Sequence, residues 1–292
     1  MSGQAVTSGQ QILISDRKRT QRHTTVVVNS RDRHVIAYPN TNTFRFLFRR
    51  PLKDIVSIEL VNGCIPGLIY NMNIGWNQFT FNEGAFNYNL SIPPGYYTPL
   101  TLAAQLQNVL NTSDPLTNTY SCGVSTTTQR LLIERASGTA SFGFLFFSGQ
   151  FTDELDYNGV QVLSINSPSR FLGFGYNDYS DVSGTILAPM AMDTDNFLNR
   201  IYLYINAEST TELHRMEVGA GGRDCFHIFF FSPGKDNYIF LNKETETPIY
   251  VSKPAPIARL SYLDISIRDE FYRPIDLQNR DVNLVFEITH LE

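Results

Sequence analysis

Five histidines, three cysteines and a few closely spaced aspartates are the side chains of this 292-residue chain that can serve as nucleophiles, proton carriers or metal ligands. His23, His34, His214, His227 and His290 are scattered. None forms the i, i+4 pair that holds a metal on a helix, and none adjoins a candidate nucleophile. His227, inside "CFHIFFF" (225–231), reads as a hydrogen-bonded structural residue, and Cys225 in the same run as a small buried hydrophobe. The three cysteines, Cys64, Cys122 and Cys225, are odd in number, far apart and without a CxxC pair, so neither a disulfide framework nor a zinc site is written here. "GAGGRD" (219–224) lacks the Lys-Ser/Thr ending of a phosphate loop and leads into a strand, and "FLGFG" (171–175) misses the dinucleotide pattern. Asp178 and Asp181 in "NDYSD", and Asp193 and Asp195 in "MDTDN", supply oxygen ligands suited to calcium but not the twelve-residue spacing with a closing Glu. No carboxylate pair is singled out as a glycosidase acid and base. Catalytic, metal and cofactor sites are therefore left unassigned, and a non-enzymatic protein with no cofactor or small-molecule substrate is expected.

Binding chemistry is better marked. Residues 1–50 hold nine Lys or Arg and two acids, while the remainder holds fourteen and twenty-six, so a basic N-terminal segment precedes an acidic body. Arg17, Lys18, Arg19, Arg22, Arg31 and Arg33 are the candidate partner-binding residues. Such a cluster suits phosphates, the acidic surface of a neighbouring protein, or plain solvation. No aromatic residue between Arg17 and Arg33 is available to stack on bases, and the body has the wrong sign for a phosphate groove, which argues against nucleic acid. Tyr70, Trp76, Tyr96, Tyr97, Tyr176 and Tyr179 fall in or near loops, where exposed aromatics suit sugar or protein contacts, although packing is the default for most of them.

The elements that must position these residues are mostly strands. Alternating or β-branched runs occur at 24–29, 43–48, 55–61, 77–82, 86–92, 130–135, 142–147, 160–165, 200–206, 225–231, 237–240, 260–267 and 281–290, each bounded by turn residues, as in a sandwich or barrel. In "TFRFLF" the apolar set is Phe44, Phe46 and Phe48, with Arg45 on the other face; in "DVNLVFEITH" it is Val282, Leu284, Phe286 and Ile288. One helix is predicted, over 99–110. Thr98 is its N-cap, Pro99 its first residue, and Leu102, Leu106, Val109 and Leu110 form an apolar stripe. Asn111 is placed at the left-handed C-terminal position, with Pro115 blocking continuation. So short a helix is marginal alone and should cover an exposed edge or open end of the sheet system.

With 42% hydrophobic residues the chain can bury a large core or two modest ones. Its apolar runs fall far short of the ~18 residues a helical membrane span requires. Its polar first residues lack the apolar block of a signal peptide, and no membrane insertion is expected.

Several segments, in order, resemble one family. These are "VNSRDRHVIAYPNTNTFRFLF" (28–48), "IVSIELVNGCIPGLIYNMN" (55–73), "LSIPPGYYTPLTLAAQLQNVLN" (90–111), the hairpin "LLIERASGTASFGFLFF" (131–147), "FLGFG" (171–175) and "ARLSYLDISIRDEFYRPIDLQNRDVNLVFEI" (258–288). Together they resemble minor capsid and related virion structural proteins of large nucleocytoplasmic double-stranded DNA viruses, the giant-virus group. The resemblance implies an all-β, jelly-roll-like sandwich body over 38–292 with loop insertions around 150–163 and 207–255. An extended basic N-terminal arm over 1–37 precedes it. The implied role is structural: a shell component of the virion, made in the host cytoplasm, with the major capsid protein and other minor capsid proteins as partners. A homo-oligomer is also implied, a pentamer if the protein sits at a fivefold vertex as a penton. The rival reading is a β-sandwich receptor- or glycan-binding fibre module using the loop aromatics.

Overall fold

The computed structural model describes residues 20–67, 69–158, 162–194, 200–208, 211–213, 216, 224–230, 238–241, 248–251 and 255–292. Within them the chain is all-β with one helix. The strands are β1 Gln21–Asn29, β2 Thr43–Pro66, β3 Gln78–Glu83, β4 Phe86–Ser91, β5 Thr119–Val124, β6 Arg130–Ser137, β7 Phe142–Leu145, β8 Glu154–Leu155 and β9 Val162–Ser164. They continue as β10 Asp178–Ser180, β11 Thr185–Ala191, β12 Arg200–Ala207, β13 Thr211–Glu212, β14 His227–Phe230, β15 Tyr238–Phe240, β16 Ile249–Val251, β17 Ile257–Arg268 and β18 Asn283–Leu291. The expected all-β, jelly-roll-like class is the one observed. The large sheet has the order β1-β18-β2-β17-β12-β13, with β14 on β12 and with β15 and β16 on β2.

Strand β2 organises this sheet. Expected as two strands, it is one of 24 residues, and its halves have different neighbours. Residues Thr43 to Ile55 pair with β17, and Ile55 to Cys64 pair with β18 on the way to β1. Between the Leu47–Tyr262 and Leu52–Leu260 pairs β2 carries four residues, Phe48 to Pro51, against one of β17, and Asp54 follows at φ 50°. A bulge of this kind bends and twists a strand, which lets one chain segment serve two layers of a sandwich. The layers meet over Phe44, Ile58, Leu60, Leu203, Ile265, Leu284, Phe286 and Ile288, all buried, and Phe226 lies edge-on to Phe286 at 6.2 Å. Phe46 and Phe48 pack half-buried on the same core, as the alternation in "TFRFLF" predicts. Gln21–Asn29, within the segment expected as an arm, pair with β18 in unbroken register, and Val26 and Val28 enter the core.

Residues between β2 and β12 build two further sheets, β10-β7-β3-β4 and β11-β6-β5, and the small pair β8-β9. The expected 131–147 hairpin is not formed: β6 pairs with β5 and β11, whereas β7 pairs with β3 and β10. The chain passes from one sheet to the other at Gly138 (φ 92°), where an added Cβ would lie 2.0 Å from the Asn118 Oδ1. Phe81, Tyr120, Phe142, Phe144 and Phe174 interlock between these strands with ring centroids 5.0–5.3 Å apart along the pairs Tyr120–Phe142, Phe81–Phe144 and Phe144–Phe174. A carboxylate sits beside the rings. Glu83 is 4% exposed and accepts hydrogen bonds from the Thr117 N–H (2.7 Å) and hydroxyl (2.6 Å), the Asn118 N–H (3.2 Å) and the Tyr120 hydroxyl (2.6 Å). Burial alone pushes its pKa up; these donors outweigh it and hold the carboxyl below its ordinary value.

The helix α1 spans Pro99–Thr112, with Thr98 as N-cap in a reciprocal box with Thr101. Leu102, Ala103, Leu106, Val109 and Leu110 are buried, as the stripe predicts. Asn111 differs from expectation. The helix runs past it to an extended cap at Ser113, and its amide is used sideways. Asn111 Oδ1 accepts from the Tyr120 N–H (2.7 Å), its Nδ2 donates to the Tyr120 carbonyl (2.8 Å), and Gln107 Oε1 accepts from the Cys122 N–H (2.9 Å). Four helical residues advance ~6 Å and two strand residues ~6.6 Å, so amides at i and i+4 meet every second residue of an edge strand. The helix therefore stands in for the missing neighbour of β5, which fulfils the expectation that it covers a sheet edge.

Two consequences are measurable. Asn111→Leu keeps helix propensity but leaves two backbone groups of the buried Tyr120 without partners, and chemical denaturation should record a loss of about 2 kcal/mol. Glu83→Gln should cost about 2–3 kcal/mol at neutral pH, because a buried charged acceptor of several donors is lost. The folded Glu83 pKa is depressed, so its stabilisation is present above the ordinary value of 4.5 and is lost as pH falls through the lower folded value. The difference between wild type and Glu83→Gln should accordingly shrink in denaturation curves taken on acidification below that range.

Candidate assembly interface

The residues singled out for chemistry are turned on the chain's own structure. Asp178 accepts from the Phe147 and Ser148 N–H groups (2.9 and 3.0 Å), and these bonds hold its carboxyl below the ordinary range against the opposing effect of burial. Asp181 accepts from Phe142 N–H (2.8 Å) and Gly184 N–H (2.9 Å). His227 is buried edge-on to Phe229, and Cys225 is buried, as expected of a small hydrophobe. His23 pairs with Glu287 (3.0 Å) and His290 with the Thr24 hydroxyl (3.1 Å), both across β1 and β18. His214, Asp195 and most of "GAGGRD" lie outside the described residues. Among the described residues no three His, Cys, Asp or Glu side chains are grouped to hold a metal ion. Gly173 of "FLGFG" (φ 82°) lies so close to the Met190 carbonyl that a Cβ would come within 2.4 Å, and Phe171, Leu172 and Phe174 around it are core.

The loop aromatics are largely packed. Trp76 is buried under the Arg273 guanidinium (4.3 Å), which itself is held by the buried Asp269 (2.8 Å) and the Ile165 carbonyl (2.5 Å). Tyr179 lies on Phe174 at 4.8 Å, and the Tyr97 hydroxyl donates to the Pro93 carbonyl. Tyr70, Tyr96 and Tyr176 are half-buried, the last edge-on to the exposed Phe147.

The basic residues divide into two groups. Arg17, Lys18 and Arg19 lie outside the described residues. Arg22 is exposed and pairs with Glu292 (2.7 Å), a surface contact of small energetic weight. Arg31 grips Asp281 through two nitrogens (2.9 and 3.0 Å). Arg33 donates to the carbonyls of Ser30, Tyr38 and Pro39 (2.9–3.1 Å). Arg31 and Arg33 thus pin the turn after β1 to the body. Sequence reasoning passed over three other cations at the bend of β2: Arg49, Arg50 and Lys53 are all exposed. Their signal was the string "RRPLK", which interrupts the apolar alternation.

What the surface offers is unpaired backbone. Thr20 and Glu292 exchange two backbone hydrogen bonds (3.0 and 3.1 Å), and Ser30 N–H donates to the Val282 carbonyl (2.9 Å). Antiparallel ladders alternate, so the even residues of β1 face β18, and Gln21, His23, Thr25, Val27 and Asn29 direct their N–H and C=O groups to the outer edge. No described residue pairs there. On β2, the Ile267 N–H donates to the Asn42 carbonyl (2.8 Å), which places the groups of Thr43, Arg45 and Leu47 on its edge away from β17. Between Asn29 at the end of β1, the turn at Asp32 to Tyr38, and Arg45 to Leu47 lies an open groove of about 620 Å³. Arg45 is held there by Asp264 (2.6 and 2.7 Å) over the Tyr262 ring. Strand edges beside an apolar groove can bind an extended chain by strand addition.

Comparison with known proteins bears on the fold and the family. The structure resembles the crystal structure of the SeMet-labelled penton protein of mavirus, with a TM-score of 0.43 and 6% sequence identity, covering 94% of this chain and 100% of that one. No curated protein matches the sequence. A family model matches residues 13–200, well over half of the sequence, and the chain belongs to that family, DUF5901, whose function is unknown.

Proposed function

We propose that this chain is a structural component of an icosahedral virus shell, a minor capsid protein that binds the major capsid protein and its own neighbours. The observation that carries the reading is the disposition of polar groups. The Glu83 and Asp181 carboxylates, the Asn111 amide and the Arg33 guanidinium bond the chain's own backbone, while the outer backbone rows of β1 and of the first half of β2 have no strand neighbour among the described residues. That arrangement favours adhesion, with affinity coming from strand edges, loops and termini. The ordered segments from 28 to 288 that resemble minor capsid proteins point the same way. They map onto the elements of the sandwich: the turn fixed by Arg31 and Arg33, both halves of β2, the helix that covers β5, and strands β17 and β18, which flank β2.

In this reading the basic stretch Arg17 to Arg19 docks on an acidic neighbouring surface, and attachment is salt-sensitive. Residues from Thr20 onward belong to the β1–β18 ladder, so the informative truncation removes residues 1–19 and spares Gln21–Asn29. The shortened chain should fold, with unchanged circular dichroism and denaturation midpoint, yet be depleted from purified particles in cells that also make the full set of shell proteins. A full-length tagged chain that stays in the soluble pool while particles assemble normally would overturn the shell role.

A further inference from the structure

We propose that the outer edge of β1 is a homotypic interface, at which a second copy of this chain adds its own β1 in antiparallel, two-fold register centred on Thr25. The proposal deepens the adhesion reading by naming one partner and its geometry, and does not depend on which shell the protein enters.

The first ground is that β1 is long and, among the described residues, undefended. Natural sheets blunt their edges with proline, lysine, bulges or a covering element. In this molecule the edge of β5 is covered by the amides of Gln107 and Asn111. Strand β11 carries Pro189 and a register break between Leu187 and Ala191. The open edge of β2 ends at the Arg49–Arg50 bulge. Of the remaining edges, β10 has three residues, and β4 has six with Asn87 and Asn89 among them. Strand β1 has nine residues, QRHTTVVVN, with no proline, glycine or lysine, no register shift against β18, and Val27 62% exposed.

The second ground is self-complementarity. The outward-facing backbone groups belong to residues 21, 23, 25, 27 and 29. Antiparallel pairing about Thr25 sets Gln21 opposite Asn29, His23 opposite Val27 and Thr25 opposite its own copy. Each open residue then meets an open residue, giving about ten backbone hydrogen bonds. The side chains agree with the register. Arg22, the cation of this strand, comes opposite Val28 of the other strand and His23 opposite Val27, so no like charges are juxtaposed. Pairing shifted toward the N-terminus would set Arg22 against itself.

The chain's own N-terminal segment is a poorer occupant. Thr20 continues the β1–β18 ladder outward, and Arg17, Lys18 and Arg19, which precede it, include none of the turn formers a tight reversal onto β1 would need.

Cysteine mapping on the full chain tests the register. The native thiols do not compete strongly: burial pushes Cys122 up to about 12 and Cys64 above its ordinary value, and Cys225 is buried. Under mild oxidation Thr25→Cys should form a disulfide-linked dimer on a non-reducing gel. Val27→Cys should stay monomeric, because each Val27 faces His23 of the second copy, and the His23→Cys, Val27→Cys double variant should cross-link again. Sedimentation velocity of the wild-type chain should show a concentration-dependent monomer–dimer equilibrium. Thr25→Pro should abolish it while leaving thermal unfolding nearly unchanged, since the Thr25 N–H faces away from β18. Equal cross-linking of the Thr25→Cys and Val27→Cys variants, a wild-type chain that is monomeric throughout the concentration series, or a pentameric mass would each overturn the proposal. A dimer that appears only after removal of residues 1–19 would also overturn it, by showing that the chain's own N-terminus occupies the edge. Particle incorporation is a separate readout, so the shell role and the β1 interface can fail independently.

Discussion

A strand is satisfied only when both of its edges are met, and most features of this fold answer that constraint. Backbone N–H and C=O groups cannot be hidden from water without partners, and a sheet always has two outermost strands. Strand β2 meets it over its second half, which lies between β18 on one side and β15 and β16 on the other, while among the described residues its first half pairs with β17 alone. Strand β5 meets it with helix side chains in place of a strand. The chain between β4 and β5 thus needs its helix because the three-stranded sheet would otherwise end in two exposed backbone rows. That is the physical reason an all-β chain carries a single amphipathic helix.

The same constraint explains where charge is buried. Glu83 ends β3 at the point where the backbone of Thr117 and Asn118 approaches without ladder partners, and its carboxylate takes both N–H groups together with two hydroxyls. Asp181 does the same for Phe142 and Gly184, and Asp178 for Phe147 and Ser148. A carboxylate that accepts several donors is held ionised against its loss of water, which the lowered pKa values of the buried Glu83 and the exposed Asp178 express. Acidic loops that look like metal ligands in sequence are here substitutes for strand neighbours. Arg33 is the cationic counterpart, donating to three carbonyls of one turn.

Much of the fold was legible because period-two alternation is a local property. Phe44, Phe46 and Phe48, and Leu284, Phe286 and Ile288, face the core as their spacing requires, and the cap and stripe of α1 were visible in six residues, Thr98, Pro99, Leu102, Leu106, Val109 and Leu110. What sequence could not show was partnership over distance. Arg31 finds Asp281 two hundred and fifty positions away, so a charge that looked unpaired in sequence has a partner on the surface. "FRRPLK" read as a break between strands because proline and charge usually end one, yet a bulge tolerates both, and β2 continues. Strand β5, "TYSCGV", is short and contains glycine; it was missed because its stability comes from α1 and not from its own propensity. Gln107 and Asn111 lie beside the apolar stripe and look like a solvent face until β5 is placed against them. The cations of the β2 bend were overlooked for a related reason: a bulge was not foreseen, so nothing marked them as projecting.

Which backbone rows remain open is the least legible property of all, and it bears most directly on function. Openness on β1 depends on parity: the Thr20–Glu292 pairing fixes that odd residues face outward, and a shift of one residue would exchange the sets. The same parity puts Val26 and Val28 inside and Val27 outside, so core packing and edge presentation are set by a single register choice. A mutation cannot easily alter one without the other. The edge is therefore as well specified as the core behind it: its hydrogen-bonding row is held in position by buried valines and by nine paired residues of β18. Rigid presentation reduces the ordering cost of association, since the receiving strand is already extended and aligned before a partner arrives. Such a row is where binding energy can be gained with the least rearrangement.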